Sequence, residues 1–172
     1  MDTLRLRIPF EFIKDRVRIT WRDLLFGLEA NLLDPMAPVS FAIEQIMNEE
    51  TSDPNVIELA GLIGEQDTRP HVERIVVGTP EEALAQVRAK WLCVVLAWLL
   101  KERDQYPDPL QKVEEVYADF GYPPSMARFV RYMPLDGADL GSRERNEARL
   151  YARWEQFVSE CSSTDATNRG PA

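Results

Sequence analysis

Few side chains in this sequence have the types and spacing that acid–base catalysis needs. His71 is the only histidine of the 172-residue chain. Glu115 and Asp119 lie four residues apart, which places both carboxylates on one face of a predicted helix. Paired carboxylates can act as general acid and base, but pairs at this spacing are common on helices. We therefore predict that the protein is not an enzyme and has no catalytic residues, and a carboxylate-based enzyme is the least favoured alternative.

The motifs of metal and phosphate sites are also missing from the sequence. A single histidine excludes a multi-histidine metal site, and neither cysteine has a CxxC or Cys/His companion at ligand spacing. Gly61 and Gly64 do not form the GxxxxGKS/T pattern of a phosphate-binding loop. We therefore expect no metal and no cofactor.

The cysteines and the longest apolar run predict a cytoplasmic location. Cys93 lies in the apolar run 91–100, which has about half of the roughly 20 residues needed to cross a membrane. Cys161 borders a small, polar C-terminal stretch. This pattern favours two thiols in a reducing cytoplasm over a disulfide framework, and it predicts no membrane contact.

Helix-start signals recur along the chain and predict an all-α fold. In four places a capping side chain precedes a proline, the arrangement of an N-cap followed by the first helical residue. These pairs are Asp34-Pro35, Asp53-Pro54, Thr79-Pro80 and Asp108-Pro109. Thr20 with Asp23 opens a further helix, whose leucines recur at helical spacing.

Together these signals predict a single compact, irregular multi-helix bundle of about eight helices. The predicted helices cover 9–17, 20–32, 36–48, 54–63, 70–77, 80–104, 109–120, 124–133 and 142–160. The helix near 80–104 is apolar all round in its second half, which predicts that it is central. Residues 73–78 could equally form a strand, and the alternation of residues 4–8 leaves a minor short strand pair open. We expect one domain over 1–160 and a disordered tail over 161–172.

The charge distribution predicts a protein partner rather than nucleic acid. The net charge is −9, and no Lys or Arg occurs between Arg22 and Arg69. Phosphate-backbone binding needs a basic surface, so an acidic chain argues against it. Such an acidic interval is either a solvated surface that aids solubility or a docking surface for a basic partner. The candidate partner-binding acids are Glu44, Glu49, Glu50, Asp53 and Glu58.

The stretch 116–134 supplies the second group of candidates. Gly121 ends one predicted helix and Pro123 and Pro124 prevent its continuation. Asp119 falls in the last turn, where the helix dipole disfavours an anion. We predict that Arg128 or Arg131 compensates Asp119 across the corner. The alternative is that Asp119, Arg128, Arg131 and Tyr132 contact a partner.

Several motifs resemble those of an uncharacterised bacterial domain-of-unknown-function family. They are ITWRDLLFGL, IELAGL, DPLQKVEEVYADFGYP and FVRYMP, and the resemblance spans nearly the whole chain. It implies a small helical bacterial protein, of the kind sometimes encoded beside polymorphic or contact-dependent growth inhibition toxins, and it brings no catalytic residues with it. The expected function is that of an immunity protein, which binds and neutralises a cognate toxin domain with a basic surface. The alternative is a helical scaffold or adaptor without catalysis.

Overall fold

The computed structural model describes residues 6–64, 67–134 and 137–168, with side chains to Cys161. The α-helices are α1 (Phe10–Lys14), α2 (Trp21–Glu29), α3 (Ala37–Met47), α4 (Pro54–Ala60), α5 (Arg69–Val77), α6 (Leu84–Lys101), α7 (Pro109–Asp119) and α8 (Arg143–Asn168). Two 3-10 helices cover Arg103–Gln105 and Pro124–Phe129. The predicted all-α fold is confirmed.

Among the described residues, β pairing is confined to one contact. Ile8 and Leu33 form an isolated parallel bridge, with the Ile8 N–H donating to the Leu32 carbonyl at 2.9 Å. The described ranges contain no longer strand, and residues 73–77 are helical in α5. The predicted pairing of residues 4–8 lies partly outside the described residues.

Three helix starts follow the local capping code. The Thr20 hydroxyl accepts from the Asp23 N–H at 3.3 Å while the Asp23 carboxylate accepts from the Thr20 N–H at 2.8 Å, which completes a capping box. Asp53 and Asp108 each cap a helix whose first residue is proline. These bonds satisfy amides that have no partner within the helix.

The helix predicted to begin at Thr79-Pro80 begins later, at Leu84. The Thr79 hydroxyl donates to the Val76 carbonyl at 2.9 Å and so closes the end of α5. Glu82 accepts from the Thr20 hydroxyl at 3.0 Å. Thr79, the predicted N-cap, and Glu82, three residues later, are therefore both engaged elsewhere.

Two compact units divide the chain, one formed by Arg5–Val87 and the other mainly by Arg88–Ala172. In the N-terminal unit, α3 packs on α4, α2 on α5 and α4 on α5. Its core holds fully buried aliphatic side chains, with Trp21 edge-on to Phe41 at 4.8 Å. That residues 1–160 form a single domain stays a prediction.

The C-terminal unit is built around the apolar half of α6. Val95, Leu96 and Leu99 are fully buried, so this run is interior as predicted. Trp154 of α8 is also fully buried, and its Nε1–H donates to the Leu96 carbonyl at 3.2 Å.

Cys93 of α6 and Cys161 of α8 are joined by a disulfide with a Cα–Cα distance of 5.9 Å. The expectation of two thiols is therefore wrong. Because Leu96 contacts Trp154 and Cys93 meets Cys161, α8 runs antiparallel to α6, and this register brings together two cysteines that lie 68 residues apart in sequence.

The ends of two predicted helices also differ. Residues 124–133 form a 3-10 helix only to Phe129 and then turn. Residues 161–168, predicted to belong to a disordered tail, continue α8 beyond the disulfide, and 169–172 lie outside the described residues. No helix of the described chain is long and apolar enough to span a membrane.

Candidate functional site

Three of the five candidate acids in the N-terminal unit have partners within the fold. Glu44 accepts from Lys14 Nζ at 2.6 Å, and hydrogen bonds from Lys14 to Glu11 and Glu44 raise the pKa of that lysine. Asp53 accepts from the Asn55 N–H at 2.8 Å as the N-cap of α4. Glu44 thus joins α3 to α1, and Asp53 stabilises the start of α4.

The third acid, Glu58, lies on the exposed side of α4. Its carboxylate contacts Arg74 of α5 at 3.2 Å and lies 3.6 Å from His71 Nδ1. His71 also lies 2.8 Å from Arg74 Nη2. The only histidine is therefore part of a contact between α4 and α5.

Glu49 and Glu50 differ from the other three acids. Both are exposed, and neither carboxylate has a hydrogen bond or ion pair with any residue that the structure describes. They follow directly on α3, which ends with the Glu49 N–H bound to the Ile46 carbonyl and the Glu50 N–H bound to the Gln45 carbonyl. This pair of bonds is a Schellman motif.

In that motif the residue after the C-cap adopts a left-handed conformation, which glycine and asparagine tolerate best. At the same position after α2 the chain has Asn31, with a φ of 54°, and after α7 it has Gly121, with a φ of 78°. After α3 it has Glu49, with a φ of 58°. A charged, poorly suited residue therefore occupies an exposed turn at the end of α3.

The end of α3 concentrates negative charge. Its carbonyl end carries the negative pole of the helix dipole, and the last turn contains no basic residue that would offset it. Met47, with 77% of its surface exposed, lies beside the two acids. We name residues 47–50 the acidic corner.

Apolar side chains of α3 and α4 are exposed in the same unit as the acidic corner. Ile43 lies one turn before Met47 on the same face of α3 and is 42% exposed. Ile57 of α4, which packs on α3, is 53% exposed. Exposed apolar side chains beside charged ones are typical of a protein-binding surface.

The predicted corner in the C-terminal unit is confirmed as a helix end. The Tyr122 N–H donates to the Tyr117 carbonyl at 2.8 Å and the Gly121 N–H to the Ala118 carbonyl at 3.0 Å, which is again a Schellman motif. The Tyr122 ring packs edge-on against Tyr117 at 5.2 Å, which is the side-chain contact that usually accompanies this motif. Tyr122 also has a positive φ of 60°, which is uncommon for a bulky residue.

The arginines of this corner have partners other than Asp119. Arg131 donates from Nε to Glu114 at 2.9 Å and from Nη1 to Asp108 at 2.8 Å, and its Nη2 bonds to the second Glu114 oxygen at 3.2 Å. The hydrogen bond to Glu114 is the main reason that the pKa of Arg131 is raised. Arg128 donates to Glu160 at 2.7 Å. The structure does not show the predicted pairing of either arginine with Asp119. Instead, Arg131 binds the N-cap Asp108 and Glu114 of α7, and Arg128 binds Glu160 of α8.

Tyr132 is the candidate of this corner that stays exposed. The residue is 58% exposed, and the centroid of its ring lies 6.1 Å from that of the buried Tyr117. Tyr122, which was not among the predicted candidates, is 59% exposed, and its ring packs on the same Tyr117. The signal for it is local, because Gly121 at the helix end predicts that the next residue packs back on Tyr117.

The residues considered for acid–base chemistry do not share one unit. His71 belongs to the N-terminal unit, while Glu115 and Asp119 belong to the C-terminal unit. Glu115 accepts from Lys112 at 2.6 Å. In the part of the chain that the structure describes, no group of three or more His, Cys, Asp or Glu side chains could hold a metal ion.

The chain is similar to a bacterial protein family over most of its length. A family model described as an uncharacterized protein conserved in bacteria (DUF2247) matches residues 10–162. No curated protein and no solved structure matches the chain. The matched range covers both compact units.

Proposed function

The chain belongs to the bacterial DUF2247 family, and we propose that it is an immunity-type protein that binds a cognate toxin domain and blocks it. The acidic corner is the proposed docking point, and a basic surface of the toxin is its counterpart. In this proposal the chain is not an enzyme, needs no cofactor and binds neither nucleic acid nor membrane.

The observation that carries the proposal is the unbalanced charge at the end of α3. Glu49 and Glu50 are exposed and make no internal ion pair among the described residues, and the helix dipole adds to their field. The sequence has no Lys or Arg between Arg22 and Arg69, so no cation within this segment weakens the field. A basic partner would be attracted to it and would associate faster than a neutral one.

The exposed apolar side chains of α3 and α4 are proposed to slow dissociation of the complex, which exposed charges alone do not do. Charges at the rim of an interface mainly raise the association rate, whereas buried apolar anchors lower the dissociation rate. Met47 has an unbranched, flexible side chain that adapts to different partner surfaces. Met47 and Ile57 are therefore the proposed anchors, and the two acids are the proposed steering charges.

A cytoplasmic location remains part of the proposal. The Cys93–Cys161 bond is unusual for that compartment, because cytosolic thiols are kept reduced. The oxidation state of the two cysteines in cells therefore tests the location independently of binding.

The proposal predicts that a toxin domain is encoded directly beside the gene of this chain, and the test uses that domain. Cells that express the toxin domain should survive when they also express the wild-type chain, and the two proteins should copurify. The variant Glu49→Lys/Glu50→Lys should lower the association rate by about tenfold or more at low salt.

A matched control is Glu73→Lys/Glu81→Lys, which makes the same change in net charge on exposed acids of the same unit. It should change the rate much less. Equal effects of the two double variants would show that only net charge matters, and an absence of any complex would overturn the proposed function itself.

A further inference from the structure

One face of α2 carries a row of side chains that are not buried in the core. Successive members are three, one and three residues apart, which places them on one face of the helix. The row has an arginine at one end, a glutamate at the other and two apolar side chains between them. We name it the α2 stripe, and its members are Arg22, Leu25, Phe26 and Glu29. Glu29 is exposed and the other three are half-buried.

The α2 stripe lines a cavity of about 150 Å³. Val76 of α5 and Val87 of α6 also line this cavity and are buried, whereas Leu84 of its lining is 63% exposed, so the cavity opens to the surface. All the residues that line it belong to the N-terminal unit. A volume of this size admits one aromatic or branched aliphatic side chain.

The charged ends of the α2 stripe have no counter-charge within the described part of the chain. Arg22 donates from Nε to the Pro80 carbonyl at 3.0 Å, and its terminal nitrogens have no partner among the described residues. Glu29 forms no hydrogen bond or ion pair with those residues either. The bond to Pro80 therefore holds the guanidinium beside the cavity and leaves two nitrogens able to donate to an anion.

Both charges also oppose the dipole of α2. Arg22 is the second helical residue, at the positive pole, and Glu29 is the last, at the negative pole. Two acids near the start of the helix bind the N-cap Thr20 instead of Arg22: Asp23 in the capping box and Glu82 through the Thr20 hydroxyl at 3.0 Å. A neighbouring helix that runs in the opposite direction, with opposite charges at its ends, would offset both unfavourable placements.

We propose that the α2 stripe binds the α2 stripe of a second copy of this chain, with the two helices antiparallel. Arg22 and Glu29 lie about 10.5 Å apart along the helix axis, and the midpoint of the stripe falls between Leu25 and Phe26. A two-fold axis at this midpoint brings Arg22 of each copy to Glu29 of the other. The apolar side chains of one copy then meet those of the other at the cavity.

The symmetry of the stripe about its midpoint identifies the partner as a second copy. When the direction is reversed, the order of arginine, two apolar residues and glutamate becomes its own charge complement. A helix of another protein would need the same order at the same spacing, whereas a second copy always has it. Antiparallel pairing also places the positive pole of each helix beside the negative pole of the other.

The contact is small, so we expect a weak and transient dimer. Eight residues line the cavity in each copy, fewer than the roughly 20–30 a side of a standard interface. Glu82 lines the same cavity and adds a carboxylate to it, which works against the approach of Glu29 of the second copy. The acidic corner contributes no residue to this contact, so dimerisation and toxin binding can be tested separately.

The test is sedimentation velocity of the full chain at concentrations from about 1 to 500 μM in low salt. The wild type should change from monomer to dimer, with a dissociation constant of about 1–100 μM. Larger assemblies would contradict a two-fold contact, because such a contact closes at two copies. A wild-type chain that stays monomeric at about 500 μM would overturn the proposal and leave this face to a different protein.

Charge reversal tests the antiparallel pairing. Arg22→Glu and Glu29→Arg each place like charges opposite one another, so each variant alone should dimerise at least about tenfold more weakly than the wild type. An equimolar mixture of the two variants should form a heterodimer about as tight as the wild-type dimer, since every facing pair again has opposite signs. A folding defect cannot produce this rescue. A mixture that stays as weak as its components would show that the proposed pairing is wrong.

Matched controls are Arg69→Glu and Glu73→Arg, which make the same changes in net charge on exposed residues of the same unit that do not line the cavity. Both should dimerise within about twofold of the wild type. Leu84→Glu should weaken the dimer at least about tenfold by placing a charge in the cavity, while an acid in the first turn of α6 favours the helix. Control variants as weak as the stripe variants, or an unchanged Leu84→Glu dimer, would place the contact elsewhere and contradict the proposal.

Discussion

Glu49→Gly should stabilise the protein while weakening partner binding. The left-handed φ of 58° costs a residue with a side chain about 1–2 kcal/mol. Glycine removes that cost, but it loses about 0.5–1 kcal/mol more conformational freedom on folding. The balance is a gain of about 0.5–1 kcal/mol, to which the loss of an anion near the negative pole of α3 adds a few tenths.

The gain is measured by urea and thermal denaturation, where about 1 kcal/mol corresponds to about 2–4 °C in Tm for a chain of this size. Glu50→Gly is the matched control, since it removes the same charge one residue along, at a position whose φ is not positive. The control should be destabilised by the conformational cost of glycine. The two variants should therefore differ in unfolding free energy by about 1–2 kcal/mol, which is the left-handed cost alone.

Binding provides the second measurement on the same pair. Both variants lose one exposed acid of the acidic corner, so both should associate more slowly with the toxin domain at low salt. Equal stabilities of the two variants would refute the argument from backbone strain. Unchanged association rates in both would show that these acids do not steer a partner.

Three further predictions concern the C-terminal unit. Cys93→Ser should lower the unfolding free energy by about 4 kcal/mol under non-reducing conditions, because the Cys93–Cys161 bond closes a loop of 68 residues. Detection of two reactive thiols in the native wild-type protein would contradict the disulfide. Arg131→Met should lower the unfolding free energy by about 1–2 kcal/mol in urea denaturation, because it leaves Asp108 and Glu114 without their partner. Arg128→Met should cost less, because its partner Glu160 is half exposed. Equal losses in the two variants would contradict this ranking. Burial of Asp108 would raise the pKa of its carboxyl, but the hydrogen bonds that Asp108 accepts from Arg131 and from the backbone outweigh burial and hold that pKa below the ordinary 3.8. Asp108 therefore contributes stability above pH 3.8, and this contribution is lost as the pH falls through the lower pKa of the folded state. The stability difference between wild type and Asp108→Asn should therefore be constant from pH 5 to 7 and shrink in acid, and a difference that grew in acid would reverse the sign.

The helix starts show which parts of the fold the sequence predicts. Thr20, Asp53 and Asp108 cap their helices through amides within three residues, so the local pattern contains all the partners. Thr79 has an equally good pattern, yet its hydroxyl closes α5 and Glu82 bonds to Thr20, 62 residues away. A local rule fails where a distant group competes for the same side chain.

The same distinction applies to the candidate residues. The acidic interval is visible in the sequence. That Glu44 pairs within the fold is not, because its partner Lys14 lies 30 residues earlier in the chain. Tyr122 could be predicted from Gly121, because the Schellman contact is local. The disulfide could not, because it depends on the register of α8 against α6, which only the packing of Trp154 on Leu96 reveals.

The most direct test of the proposed function is the association rate of the wild-type chain with the toxin domain that the proposal predicts beside its gene, measured from about 50 to 300 mM NaCl. Over this range the Debye length falls to below about 10 Å, so steering by exposed charges is progressively screened. We predict a complex whose association rate falls about tenfold across the range and loses most of that dependence in Glu49→Lys/Glu50→Lys. A complex whose rate is independent of salt and of these two residues would contradict docking through the acidic corner.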